Sequence, residues 1–148
     1  MTIQNDREFG AALAALPITR QRRVAAQFAR QVLDLCGDVR VKAALAAAER
    51  ADISDAELAL VAQSARSARV ESYTQCGRDT GWMPQAGHFV AKAAEVCVRA
   101  ATPGEAIAWD AAMQARLART CQTAAQGVGT DNSEAQAQYQ LLDTFLKT

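Results

Sequence analysis

Residues 72–97 read SYTQCGRDTGWMPQAGHFVAKAAEVC, and the fold turns on how this stretch is read. It holds two of the four cysteines, the only histidine, one of the two tryptophans and three of the eight glycines. A helical pattern is expected to stop near Cys76, with Gly77 and Gly81 flanking a short polar loop. Pro84 suits a first helical turn, where its missing N–H costs nothing, so the next helix is expected to open there and run to about Ala101. Within it Phe89, Ala93, Val96 and Ala100 lie along one ridge and Val90, Ala94, Cys97 and Ala101 along the next, with His88, Ala91 and Glu95 at the border. Two helices joined by a short loop, with no period-two alternation between them, point to an all-α protein.

The composition agrees. The chain has 148 residues, the size of one ordinary domain, so 1–148 is read as a single helical domain. Half of its residues are apolar, 34 are alanine and only 5% are aromatic, which favours close-packed helices over a sheet rich in Val, Ile and aromatic residues. Sixteen basic and sixteen acidic side chains leave a formal net charge of zero, which disfavours a nucleic-acid role because gripping phosphates needs a basic face. No apolar run reaches the length of a membrane span and MTIQNDREFG has no signal-peptide core, so a cytoplasmic location without membrane attachment is expected. Cys36, Cys76, Cys97 and Cys121 should then be free thiols, and their spacing resembles no zinc pattern.

Working outward, the N-terminal half predicts four helices. Asn5 with Glu8 reads as a capping box for the first, which carries Phe9, Leu13 and Leu16 and ends at Pro17. Thr19 is the expected cap of the second, Arg20 to about Cys36, with Val24, Phe28, Val32 and Leu35 as its apolar stripe and Gly37 as its stop. Asp38 opens the third, through Val41, Leu45 and Ala48 to about Arg50. Ser54 with Glu57 caps the fourth, whose expected buried face is Leu58, Val61, Ala62, Ala65 and Ser72.

Beyond Ala101, Thr102-Pro103-Gly104-Glu105 reads as cap, proline and carboxylate at the start of a sixth helix. Trp109, Met113, Leu117 and Cys121 recur there at steps of four and are expected to face inward together. Gly127 and Gly129 end that helix, and Ser133 with Gln136 starts a last one bearing Tyr139, Leu142, Phe145 and Leu146. The result is a compact bundle of six or seven helices whose short connections make successive helices antiparallel neighbours.

Chemistry is sparse. Cys76 and His88 could meet across the loop as thiol and imidazole, the pairing that makes a thiolate nucleophile; no third residue obviously orients the histidine, although Asp79, Glu71 and Glu95 are nearby in sequence. The competing reading makes Cys76 a small helix-end residue and His88 a packed ring that gives a polar atom to Tyr73 or to a carbonyl between Gly77 and Trp82. No metal is expected, since His88 and Cys97 sit nine residues apart on nearly opposite faces of one helix, and no cofactor motif is present. Cys76, Arg78, Trp82 and His88 form the candidate hub, with Trp82 and Met83 either a lid over the two helices or an exposed anchor for a partner. Arg20, Arg23 and Arg30, with Arg22 beside them, form a candidate partner-binding basic face that could equally be a solvated helix surface.

The order of signals from Phe28 to about Val98 resembles the Imm-5-like family of bacterial immunity proteins. FARQVLDL comes first, then Asp38-Val39-Arg40 with Ala44-Leu45, then ISDAEL, Ser64-Ala65-Arg66, and Ala86-Gly87-His88-Phe89-Val90-Ala91. The chain departs where a further histidine would be expected, at Ala94-Glu95-Val96, and the helices after Ala101 have no counterpart. The resemblance implies a small all-helical protein that neutralises a partner toxin, and it carries no catalytic residue onto this chain. The expected function is therefore a protein-binding module of the immunity type with a protein partner, homodimerisation being compatible with it. The alternative is a small-ligand-binding protein or enzyme that uses Cys76 and His88.

Overall fold

Helices make up the whole framework of this computed structural model, which describes residues 2–78 and 81–148. They are α1 (Asp6–Ala14), α2 (Ile18–Arg30), α3 (Val39–Glu49), α4 (Asp55–Arg78), α5 (Trp82–Val98), α6 (Ile107–Ala125) and α7 (Glu134–Leu146), with a 3₁₀ turn at Leu33–Leu35. No strand occurs among the described residues, and no described helix is long and apolar enough to cross a membrane.

Three helix starts are set by the expected side chains. Asn5 Oδ1 accepts from Glu8 N at 2.9 Å while Glu8 Oε1 accepts from Asn5 Nδ2 at 3.0 Å, a reciprocal box. Asp38 accepts from Arg40 N at 2.9 Å, and Ser54 Oγ from Glu57 N at 3.1 Å. Each satisfies one of the four backbone donors that a helix start leaves open.

Five other boundaries correct the sequence reading. The second helix begins at Ile18 rather than at a Thr19 cap, because extended Pro17 itself occupies the cap position, and it closes at Arg30 where the chain tightens into the 3₁₀ turn. The fifth begins at Trp82 from an extended Gly81, and Pro84 falls on its third residue, still inside the turn whose N–H groups are unpaired. Thr102–Glu105 is a turn, not a helix start: Glu105 N donates to Thr102 O at 3.1 Å and Gly104 has φ +86°. Proline at the second position and left-handed glycine at the third are what a type II turn requires. At the last helix Asn132 Oδ1, not Ser133, accepts the hydrogen bond from Glu134 N, at 3.1 Å.

The core is built around α5 and α6, which pack more extensively against each other than any other pair. Val90, Ala93, Ala94 and Cys97 of α5 and Ile107, Ala108, Ala111, Ala112 and Ala115 of α6 are fully buried. This alanine-lined seam corrects the expected phase of α6. Of the four residues expected to face inward together, Cys121 is buried, Trp109 and Met113 pack partly buried against the core, and Leu117 is 43% exposed. Small side chains let two helices approach closely, so the face that packs is the alanine face, and the bulky residues lie at its margins. Helices α2, α3 and α4 lie against α5, while α1, α2 and α7 lie against α6.

At the far margin Phe9 is fully buried among Phe28 at 5.5 Å, Trp109 at 6.0 Å and Tyr139 at 5.3 Å between ring centroids. Above it Arg116 reaches Asp6 at 2.8 Å and Gln138 Oε1 at 2.8 Å, and Tyr139 donates to Asp6 at 2.7 Å. Gln138, itself fully buried, donates to Ala112 O at 2.9 Å. One polar cluster thus ties α1, α6 and α7 over one aromatic cluster.

Glu134 adds a pH dependence at the start of α7. It is buried, one of its oxygens has no hydrogen-bond partner among the described residues, and Arg119 stands 3.7 Å from the other. Burial pushes its pKa up, against the pull of Arg119 and with the repulsion of Asp34. The folded chain therefore holds this proton to higher pH than the unfolded chain. Its contribution is fully present below the ordinary glutamate range and is lost as pH rises through the folded value. Glu134→Gln should be more stable than the parent at pH 7, and the gap should close as the pH is lowered towards 4.5. Denaturant melts across that range check it; a gap that widens on acidification would reverse the assignment.

Candidate functional site

Helices α4 and α5 form an antiparallel hairpin, and the side-chain contacts between them run in opposite senses along the two. Arg69 pairs with Glu95, Ser72 meets His88, and Cys76 meets Pro84. Among the described side chains of the long α4, only Ala65 and Ala68 are buried; Leu58, Val61, Ala62 and Ser72 are half-buried. Arg40 of α3 pairs with Glu71 at 2.7 Å and secures the same stretch from the other side.

His88 lies on α5 facing α4. Its Nδ1 is 2.8 Å from Ser72 Oγ, whose own proton goes to Arg69 O at 2.7 Å. A hydroxyl has one proton, so in this contact the imidazole donates, which places the ring proton on Nδ1 and leaves Nε2 as the acceptor. The polar partner is thus Ser72 rather than Tyr73 or a loop carbonyl; Tyr73 instead sets its ring 5.7 Å from that of His88. Burial, followed by Lys92 and Arg69, holds the imidazole pKa below its ordinary value, so the ring is neutral at pH 7. Next to it, Gly87 lets Leu35 O come so near that an added Cβ would sit 3.2 Å away.

His88 borders a cleft of about 360 Å³ together with Cys36, Asp38, Glu71, Ser72 and Met83. Cys76 is not among the lining residues; its thiol donates to Pro84 O at 3.2 Å. The thiol that does share the cleft, Cys36, has its pKa pushed up by burial, the opposite of nucleophilic activation. None of the four cysteines is in a disulfide among the described residues, and burial drives the Cys97 pKa to about 12. No cluster of three metal-ligating side chains occurs among the described residues.

The remaining hub residues fall at the hairpin tip. Trp82 and Met83 are the first two residues of α5, not a loop, and are 51% and 45% exposed, while Tyr73 on the adjoining turn of α4 is 68% exposed. Arg78 closes α4, and its side chain, like Asp79, lies outside the described residues. On α2 the arginines have separate surroundings. Arg20 lies over the Phe145 ring and donates to Phe145 O, Arg30 pairs with Glu49, and Arg23 is half-buried without an ion-pair partner among the described residues. Arg22 does not share the outer face with them: it is largely buried and donates to Cys97 O at 2.9 Å.

Cys36, Asp38 and Ser72 were missed as neighbours of His88. Ser72 was within reach of sequence reasoning, since a hairpin pairing Cys76 with Pro84 brings a residue one turn before Cys76 opposite one a turn after Pro84.

His88→Ala is expected to lose about 1–3 kcal/mol, since it removes ring packing and the Ser72 partner, and His88→Gln less. Relative to His88→Gln, the parent should weaken as pH falls through the histidine range, because the unfolded ring takes up a proton that the folded ring resists. The comparison cancels the opposite slope from Glu134, which both chains share. Denaturant melts of the parent and both variants at pH 5 to 8 test these outcomes; a parent that gains stability over His88→Gln on acidification in this window would contradict the environment described.

No family model, no curated protein and no solved structure matches the chain.

Proposed function

We propose that the chain is a protein-binding module of the immunity type, holding a partner toxin through the tip of the α4–α5 hairpin. The observation that supports this is the exposure of Tyr73, Trp82 and Met83 at one end of one hairpin, in a chain with only eight aromatic residues. Large amphipathic side chains left in water cost solvation and repay it when a partner covers them, and Trp and Tyr supply much of the affinity where that happens. The α2 arginines support an interface less well, because Arg20 and Arg30 are already engaged within the molecule. The enzyme reading has less support still, because the Cys76 thiol is turned to Pro84 O and does not border the His88 cleft.

The test is co-expression with the products of the adjacent open reading frames. One of them should slow growth alone, be rescued by this chain and co-elute with it. Trp82→Ser with Tyr73→Ser should keep the helical spectrum and lose the rescue. Rescue by the double variant at parental level would move the interface elsewhere.

A further inference from the structure

A second cleft, of about 560 Å³, lies on another part of the molecule, where the start of α2, the end of α3, the first turns of α4 and the end of α5 meet. Its walls include Ile18, Ala48, Ile53, Leu58, Ala62 and Val98, and its volume is in the range of small-molecule sites. Within it stands Arg22, only 9% exposed. One nitrogen of its guanidinium, Nη1, donates to Cys97 O at the last turn of α5. Nε and Nη2 have no acceptor among the described residues, and no carboxylate there lies within 4.0 Å of the group. Neither atom is sealed in the interior, since neither is among the fully buried polar atoms that lack a partner. Arg50, also on the cleft, is by contrast satisfied by Asp52 and Glu57.

Burying a cation is costly, and burial holds the Arg22 pKa below its ordinary value, with Arg99 acting the same way and Asp55, beyond ion-pair distance, acting against it. Two adjacent N–H groups of a guanidinium form the fork that receives the two oxygens of a carboxylate. The surrounding walls are apolar, and Asp55, the one carboxylate on the cleft, disfavours a doubly charged head group. Beyond Ala59, Ala62 and Ala100 the cleft runs on into a shallower apolar groove over Ala56 and Leu60, which gives a hydrocarbon tail a path.

We infer that this cleft binds a small monocarboxylate with an apolar tail, its head group on the Arg22 fork and its tail along the alanine face of α4. The site is separate from the hairpin tip and does not depend on the immunity reading.

The experiment is calorimetric titration of the full chain with octanoate and with octanamide, its uncharged twin, together with amide shift mapping. Octanoate should bind saturably, shift Ala48, Ala62 and Val98, and exceed octanamide by about ten-fold or more, the worth of one charge-assisted contact. Arg22→Met keeps the bulk and removes the charge, and should bring octanoate down to the octanamide level. Should that variant fail to fold, Ala59→Phe, at an exposed position on the cleft, should weaken both ligands without loss of helicity. Equal binding of the two ligands, absence of saturable octanoate binding, or shifts confined to another face would each overturn the site and leave Arg22 as a clamp on the end of α5.

Discussion

Phe9→Ala is expected to lower the unfolding free energy by about 3–5 kcal/mol, the range for removing a fully buried aromatic side chain. The ring is the contact that α1 shares with α2, α6 and α7 at once, through Phe28, Trp109 and Tyr139. Arg116 lies 5.5 Å above it, held there by Asp6 and Gln138. Truncation leaves a cavity that these neighbours cannot close without breaking that polar cluster, so the cost should sit at the upper end of the range. Asp6, whose carboxyl is held below its usual range by the hydrogen bond from Arg116, should report the loosening: its pKa should move back towards the ordinary value in the variant. A denaturant melt with a loss below about 1 kcal/mol would show that α1 is peripheral to the stability of the bundle.

The alanine seam yields the second large effect, and its sign is unusual for a core. Ala111→Leu, which adds apolar surface, is expected to destabilise by about 3 kcal/mol, the upper part of the range for overpacking. Ala111 is fully buried on the face of α6 that meets α5, where Ala93, Ala94 and Cys97 of α5 are also fully buried. Extra carbons there must push apart the two helices with the largest mutual interface in the molecule. Leu117→Ala, at the partly exposed margin, should cost less than about 1 kcal/mol. Were Leu117→Ala the more damaging of the two, the phase of α6 would be the one that its bulky residues suggest, and the seam described here would be wrong.

That contrast shows where sequence reasoning works on this chain and where it stops. Seven helices and the starts at Asn5, Asp38 and Ser54 were legible because helical period and local hydrogen-bond chemistry act within a few residues. Thr102–Glu105 misled because the same Thr-Pro-Gly-Glu order satisfies a helix start and a type II turn, and only the positive φ of Gly104 separates them. The phase of α6 misled for a different reason. In a helix with alanine on several sides, hydrophobicity does not say which side packs; closeness of approach decides, and that belongs to the pair of helices rather than to either sequence.

The site shows the same division. The stretch around Gly87 and His88 was identifiable from composition, whereas its partners Ser72 and Cys36 come from α4 and from the segment before α3. Arg22 illustrates the limit most plainly. Its spacing places it among surface arginines, yet its side chain enters a cleft and ends on Cys97 O, a backbone atom that no side-chain pattern reveals.

The hairpin tip is the working surface that we propose. Photo-crosslinking in cells tests it most directly, with a photoreactive phenylalanine placed at Tyr73, at Trp82 and, as a control, at exposed Leu146 on α7. The same single partner should be captured from Tyr73 and from Trp82 and not from Leu146. Capture from Leu146 alone, or none from either tip position, would contradict the account.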